Sequence, residues 1–165
     1  MERHLFKKAK RIVVKLGTGV LTDAKRQPDP VQLSQLADQI AREACAGREM
    51  VVVTSGAVGM GMGMLGYKQR PKFTPELQAC AAVGQSRLMN AYAQLFEPHK
   101  LAVAQVLLTH ADLEDRDRHR AAAQTLDTLL HKGAVPIINE NDAVSAAEIK
   151  FGDNDKLSAL VSAFV

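Results

Sequence analysis

Residues 50–56 read Met50-Val51-Val52-Val53-Thr54-Ser55-Gly56, an unbroken apolar run that ends in small polar residues and a glycine. Apolar side chains at successive positions, not alternate ones, belong to a strand buried on both faces. Residues 11–16 (RIVVKL), closed by Gly17, repeat the pattern, and residues 101–108 (LAVAQVLL) and 134–138 (AVPII) supply two more such runs. Helical spacings lie between them. Asp29 and Pro30 form a cap and first-turn pair, followed by Val31, Leu33, Leu36, Ala37, Ile40 and Ala44 until Gly47. Thr74-Pro75-Glu76 opens a longer helix whose apolar side carries Leu77, Ala81, Val83, Leu88, Ala91, Tyr92 and Leu95, ending near Pro98. Residues 117–131 predict another helix, residues 139–155 a polar loop, and a last helix begins at Asp155. Buried strands alternating with helices predict an α/β fold: a three-layer sandwich with a mainly parallel sheet.

Composition agrees with that architecture and excludes others. The chain has 165 residues, 47% apolar and 24% charged, the size and balance of one globular domain. Aromatic residues make up only 4%, with no Trp, so the core is aliphatic and a sandwich rich in aromatic residues is disfavoured. No apolar run approaches the roughly 18 to 20 residues of a membrane span, and no leader pattern opens the sequence. Cys45 and Cys80 lack metal-type spacing and are expected as buried thiols in a reducing compartment. Eight of the 21 Lys and Arg, but only two of the 18 Asp and Glu, fall in residues 1–26. Such a basic start suits either a nucleic acid or the phosphates of a small substrate.

In a parallel sheet, ligands bind beyond the carboxyl ends of the strands, where loops and helix N-termini meet. Lys15-Leu16-Gly17-Thr18, Thr54-Ser55-Gly56-Ala57, Thr109-His110-Ala111-Asp112 and Asn139-Glu140-Asn141-Asp142 are therefore expected on one rim. The glycines at 56, 59, 61, 63 and 66 contain a GxGxxG match, but it starts too far after its strand and Ser86 stands where an acid should follow. No P-loop motif exists. Ser55-Gly56-Ala57 remains as a place where backbone N–H groups approach an anion, or as a glycine loop without a ligand. Lys15, inside an apolar strand, is expected buried and in need of an anion, either a rim aspartate or a phosphate. Asn139, Glu140, Asn141, Asp142, Glu148, Asp153, Asn154 and Asp155 crowd into 17 residues and can hold an ammonium and a carboxylate, or cap a helix. The alternating charges of residues 112–120 read as a solvated helix start, with an effector or gate role as the second reading. His110 and His119 read as surface side chains.

Taken in order, the Lys15-Leu16-Gly17-Thr18, Thr54-Ser55-Gly56-Ala57, Leu108-Thr109-His110-Ala111-Asp112, Asn139-Glu140-Asn141-Asp142-Ala143 and Gly152-Asp153-Asn154-Asp155 segments resemble the amino-acid kinase family. The Asn139 and Gly152 segments resemble in particular its glutamate-phosphorylating branch, and residues 82–88 (AVGQSRL) and 147–150 (AEIK) fit the same pattern. The resemblance implies transfer of the ATP γ-phosphoryl group, with Mg²⁺, to the side-chain carboxylate of L-glutamate, giving L-glutamyl 5-phosphate on the way to proline. By position it implies that Lys15 contacts the transferring phosphoryl group and, with Gly17, ATP. Asp155 would orient that lysine. Ser55, Asp142 and Asn154 would bind glutamate, Gly56, Ala57 and Asn139 would complete the pocket, and Asp112 is the candidate effector residue for proline. A metal site within the chain is not expected.

Further implications are a cytoplasmic homo-oligomer and feedback by L-proline, with neither nucleic acid nor membrane as partner. Gly19 stands where the family commonly has Ser, and residues 59–64 (GMGMGM) are unusual for it. Family kinase domains run on past position 165, so residues 1–165 are expected to be the N-terminal, glutamate-binding part. On that expectation the nucleotide-binding remainder, a second catalytic lysine and any RNA-binding-like domain lie outside the chain, which is inactive alone. The alternatives are an inactive glutamate- or proline-binding or assembly fragment, and another family kinase such as acetylglutamate kinase.

Overall fold

A computed structural model describes residues 8–21, 29–145 and 153–164. Among them, β1 (Arg11–Leu16), β2 (Glu49–Thr54), β3 (Val103–Leu108) and β4 (Val135–Glu140) form one sheet in the order β1-β2-β4-β3. Every pairing is parallel, with Lys15 opposite Val53, Val53 opposite Ile138 and Leu108 opposite Glu140.

Successive side chains of β2 point to opposite faces, and each face has its own core. On one, Met50, Val52, Val135 and Ile137 pack against Leu33, Ala37 and Ile40 of α1 (Pro30–Cys45) and against Leu88, Tyr92 and Phe96 of α3 (Thr74–Phe96). On the other, Val51, Val53 and Ile138 meet Leu126 and Leu130 of α5 (Arg116–His131) and Leu157 and Val161 of α6 (Asp153–Phe164). Burying each such Val, Leu or Ile side chain is worth about 1.5–3 kcal/mol. The arrangement is the expected three-layer α/β sandwich.

The helix boundaries follow local chemistry. Asp29 Oδ1 accepts from the N–H groups of Val31 and Gln32, both at 3.0 Å, and Pro30 opens α1 without wasting a donor. Gly47, at φ +89°, takes the left-handed conformation that ends that helix. Asp115 caps α5 in the same way, through Asp117 and Arg118.

Several elements differ from the sequence-based expectation. The glycine-rich stretch is not a loop but a helix, α2 (Ala57–Met64). Gly61 makes one side of it a packing surface: a Cβ there would run into the Cys80 carbonyl, and one on Gly84 of α3 into the Ala57 carbonyl. Two helix backbones therefore approach more closely than side chains allow, which outweighs the poor helix propensity of glycine. Strand β4 runs two residues beyond the expected end, so Asn139 and Glu140 are buried in the sheet and do not open the polar loop. A short helix α4 (His110–Glu114) precedes α5. Cys80 is buried but Cys45 is exposed, which corrects the expectation of two buried thiols. Glu148, residues 147–150, Gly152 and the basic residues within 1–7 and 22–28 lie outside the described residues.

Candidate active site

All four strands end on one side of the sheet, at Leu16, Thr54, Leu108 and Glu140, and their loops meet there as the sequence suggests. Backbone bonds tie the rim together: Ser55 N–H donates to the Leu16 carbonyl at 3.0 Å and Asn141 N–H to the Leu108 carbonyl at 2.9 Å.

Lys15 leaves β1 at this rim. Its side chain is 34% exposed, so the expectation of a buried lysine is wrong, and its Nζ lies 2.6 Å from Asp155 Oδ1 in the first turn of α6. The lysine reaches over Gly17, two residues on, since a Cβ there would stand 2.6 Å from Nζ. Such a Cβ would displace the flexible end of the lysine. The ammonium stays at the surface, held by a carboxylate, open to an incoming anion.

Next to that ion pair stands Asn154. Its Nδ2 donates to the Thr54 carbonyl and to Ser55 Oγ, both at 2.8 Å, and to Asn139 Oδ1 at 3.2 Å. Asn139 Oδ1 also accepts from the Glu140 N–H at 2.9 Å, and Asn139 Nδ2 donates to Gln85 Oε1 of α3 at 2.9 Å. Three side-chain amides, Asn154 of α6, Asn139 of β4 and Gln85 of α3, thereby form one chain anchored on the Thr54 carbonyl at the end of β2. Beneath it, the buried hydroxyls of Thr54 and Tyr92 share a hydrogen bond of 2.7 Å. Burial pushes the Tyr92 phenol up to about 12, and the bond to Thr54 opposes that shift.

Gly56, at φ +105°, turns the chain from β2 into α2, whose first turn has no side-chain cap. Ala57 at that turn lines a cavity of about 210 Å³ together with Ala81, Gln85, Gln105, Glu140 and Asp142. Its lining comes from α2, α3 and β3, with Glu140 at the end of β4 and Asp142 just beyond it.

Of the sequence-derived candidates, Lys15, Gly17, Ser55, Asn139, Asn154 and Asp155 are brought together by these contacts. Gly56 adjoins them, and Ala57 and Asp142 face the neighbouring cavity. Asp112 has a local role. Its Oδ2 accepts from Thr109 N–H at 2.8 Å and Thr109 Oγ1 at 2.6 Å, and its Oδ1 from Arg118 at 3.2 Å, completing a capping box for α4. The Thr109 hydroxyl and then its N–H, with Arg118 contributing less, hold that carboxyl below its ordinary range. Gln85 received no role from the sequence, although one polar residue on the apolar side of α3, between Ala81 and Leu88, was a visible signal. Among the described residues, no group of three His, Cys, Asp or Glu could hold a metal ion, and no helix is long and apolar enough to cross a membrane.

The profile of the Amino acid kinase family matches residues 10–165. The chain is 53% identical, over its whole length, to a protein of Citrifermentans bemidjiense named glutamate 5-kinase, of which it covers 44%. Over 98% of the chain it is 51% identical to the protein of that name from Pelobacter propionicus, and over 97% it is 52% identical to the one from Ralstonia nicotianae, covering 43% of each. The chain therefore spans less than half the length of these relatives. With a family profile that covers nearly every residue and a parallel sheet whose strand ends carry the expected side chains, the chain belongs to the amino acid kinase family.

Proposed function

We propose that this chain forms the glutamate-binding part of a glutamate 5-kinase, with the first catalytic lysine at its edge. The observation that carries the reading is the adjacency of two contacts at the strand ends, Lys15 with Asp155 and Asn154 with Ser55. One supplies positive charge held at a fixed position. The other supplies oriented polar groups within reach of a carboxylate.

In this reading the side-chain carboxylate of L-glutamate attacks the γ-phosphorus of ATP. The new carboxyl O–P bond forms as the bond to the departing ADP oxygen breaks. A carboxylate is already ionised at neutral pH, so no general base is required. Catalysis then rests on alignment and charge neutralisation. Lys15 neutralises charge on the phosphoryl oxygens and Asp155 holds the ammonium in place. Gly17 leaves room for both. Ser55, Asn154, Gly56, Ala57, Asn139 and Asp142 bind and orient glutamate, with Asp142 placed for the ammonium.

Mg²⁺ accompanies ATP in this reading. Among the described residues no cluster of His, Cys, Asp or Glu would hold it, so it is assigned to the nucleotide phosphates. Turnover belongs to a protein that carries this chain at the full family length. A cytoplasmic setting, assembly into a homo-oligomer and restraint by L-proline through Asp112 are part of the same reading. The Asp112 assignment competes with the capping role of that carboxylate.

Titration calorimetry of the 165-residue chain with L-glutamate tests the proposal. Saturable binding is expected, weakened at least about tenfold, or about 1.4 kcal/mol, by Ser55→Ala or Asp142→Asn. A folded chain that gives no binding heat with L-glutamate sinks it.

A further inference from the structure

The amide chain at the rim has a direction, and the backbone fixes it. The Thr54 carbonyl can only accept, so the atom of Asn154 facing it at 2.8 Å must be the donor Nδ2. The Glu140 N–H can only donate, so the atom of Asn139 facing it at 2.9 Å must be Oδ1. Asn139 then turns Nδ2 towards Gln85, which must answer with Oε1. No amide can flip without setting donor against donor or acceptor against acceptor. The two ends of the chain are left over: Gln85 Nε2 and Asn154 Oδ1 are buried and have no hydrogen-bond partner among the described residues.

Gln85 is only 8% exposed and lines the same cavity as Asp142 and Glu140. A buried amide donor left unsatisfied is costly, and native interiors rarely keep one without a reason. A donor that cannot flip into an acceptor selects a ligand atom that accepts. An α-amino acid bound with its ammonium at Asp142 carries its α-carboxylate beside that ammonium, into the cavity that Gln85 also lines.

We infer that Gln85 is a specificity residue of the glutamate site, whose Nε2 donates to the substrate α-carboxylate while its Oε1 keeps Asn139, and through it Asn154, in place. A small rotation about χ3, the soft terminal torsion of glutamine, well short of a flip, opens Nε2 to the cavity with Oε1 still on the Asn139 side. The inference rests on the glutamate-binding reading above and adds which end of the amino acid lies in the cavity. It also explains why α3 carries an amide within its apolar side.

The test exchanges donor and acceptor on both partners. Calorimetry on the 165-residue chain compares L-glutamate with L-isoglutamine, in which the α-carboxylate is a carboxamide, for the unaltered chain, Gln85→Glu and Gln85→Met. The measurement is made at about pH 8; burial favours the protonated form of an introduced carboxyl, so Gln85→Met, which carries no donor at any pH, is read beside Gln85→Glu. Gln85→Glu still accepts from Asn139 but presents an acceptor to the cavity. The unaltered chain is expected to prefer L-glutamate by about tenfold or more, and Gln85→Glu to abolish or invert that preference. Gln85→Met, of similar length without a donor, is expected to lose it, and decides the matter if Gln85→Glu melts without cooperativity. A preference unchanged in a folded variant overturns the inference and leaves glutamate binding standing. No binding of L-glutamate by the unaltered chain overturns both.

Discussion

The Lys15 ammonium sits 2.6 Å from the Asp155 carboxylate, joining the end of β1 to the first turn of α6. Both side chains face solvent, with Asp155 70% exposed. An exposed pair of this kind contributes at most about 1 kcal/mol to stability. Its value must then lie elsewhere, in holding a cation at the sheet edge.

Lys15→Met is therefore expected to shift the urea unfolding free energy by less than about 1 kcal/mol. In a full-length protein carrying this chain, the same change is expected to slow ADP production with L-glutamate by about 10²-fold or more, the scale of losing one charge-stabilising donor. A variant that keeps its rate removes Lys15 from the chemistry.

The glycines of α2 and α3 divide into two classes. Gly61→Ala and Gly84→Ala each drive a methyl group into a backbone carbonyl of the facing helix, so a loss of about 1–3 kcal/mol is expected. Gly59 and Gly63 meet nothing within 4 Å. Alanine there gains helix propensity, about 0.5–1 kcal/mol each. Denaturant titration of the four variants separates the classes, and equal effects would contradict the close approach of α2 to α3.

Asp112 gives an acid-side signature. Its folded pKa is depressed, so its contribution is complete above the unfolded value of about 3.9 and is lost as pH falls through the folded value. Thr109→Ala removes the hydroxyl, the largest cause of that depression. The Asp112 carboxyl should then titrate closer to its ordinary range by NMR. A cap loss of about 1 kcal/mol is expected at neutral pH, narrowing once Asp112 is protonated.

Tyr92 gives the alkaline counterpart. Its phenol is pushed up to about 12 by burial, against an ordinary value near 10, so the neutral form is favoured by folding. Stability should be intact below about pH 10 and fall as pH rises towards 12. Tyr92→Phe removes one of the two partners of the buried Thr54 hydroxyl, which keeps its bond to the Ser55 carbonyl, at a cost of about 1 kcal/mol and should abolish that phase of the alkaline decline. Stability curves against pH for the two proteins provide the comparison.

The sheet was legible in the sequence because its strands are continuous apolar runs ended by polar and glycine residues, and the helices because of Asp29-Pro30 and Thr74-Pro75. The α2 helix was not, since Gly59, Gly61 and Gly63 favour a loop and only the facing Gly84 and the Cys80 backbone make a helix there pay off. Local propensity lost to tertiary packing. The end of β4 was misplaced for a related reason: Asn139 and Glu140 look like loop residues until partners on α3 and α6 satisfy them. The ion pair of Lys15 with Asp155 was anticipated as a contact, but not its exposure. Gln85 carries its meaning only through the direction of the amide chain, which depends on the Thr54 carbonyl and the Glu140 N–H and cannot be read from side-chain identities.

The most direct test of the central claim is a titration of the isotope-labelled 165-residue chain with L-glutamate, followed by the backbone and side-chain amide signals. Saturable, stereoselective shifts are predicted at Ser55, Gly56, Asp142 and Asn154, with the Asn154 and Gln85 side-chain amides moving together and the Thr109 and Asp112 signals unmoved. Shifts confined to Thr109 and Asp112, or none with a folded chain, would contradict it.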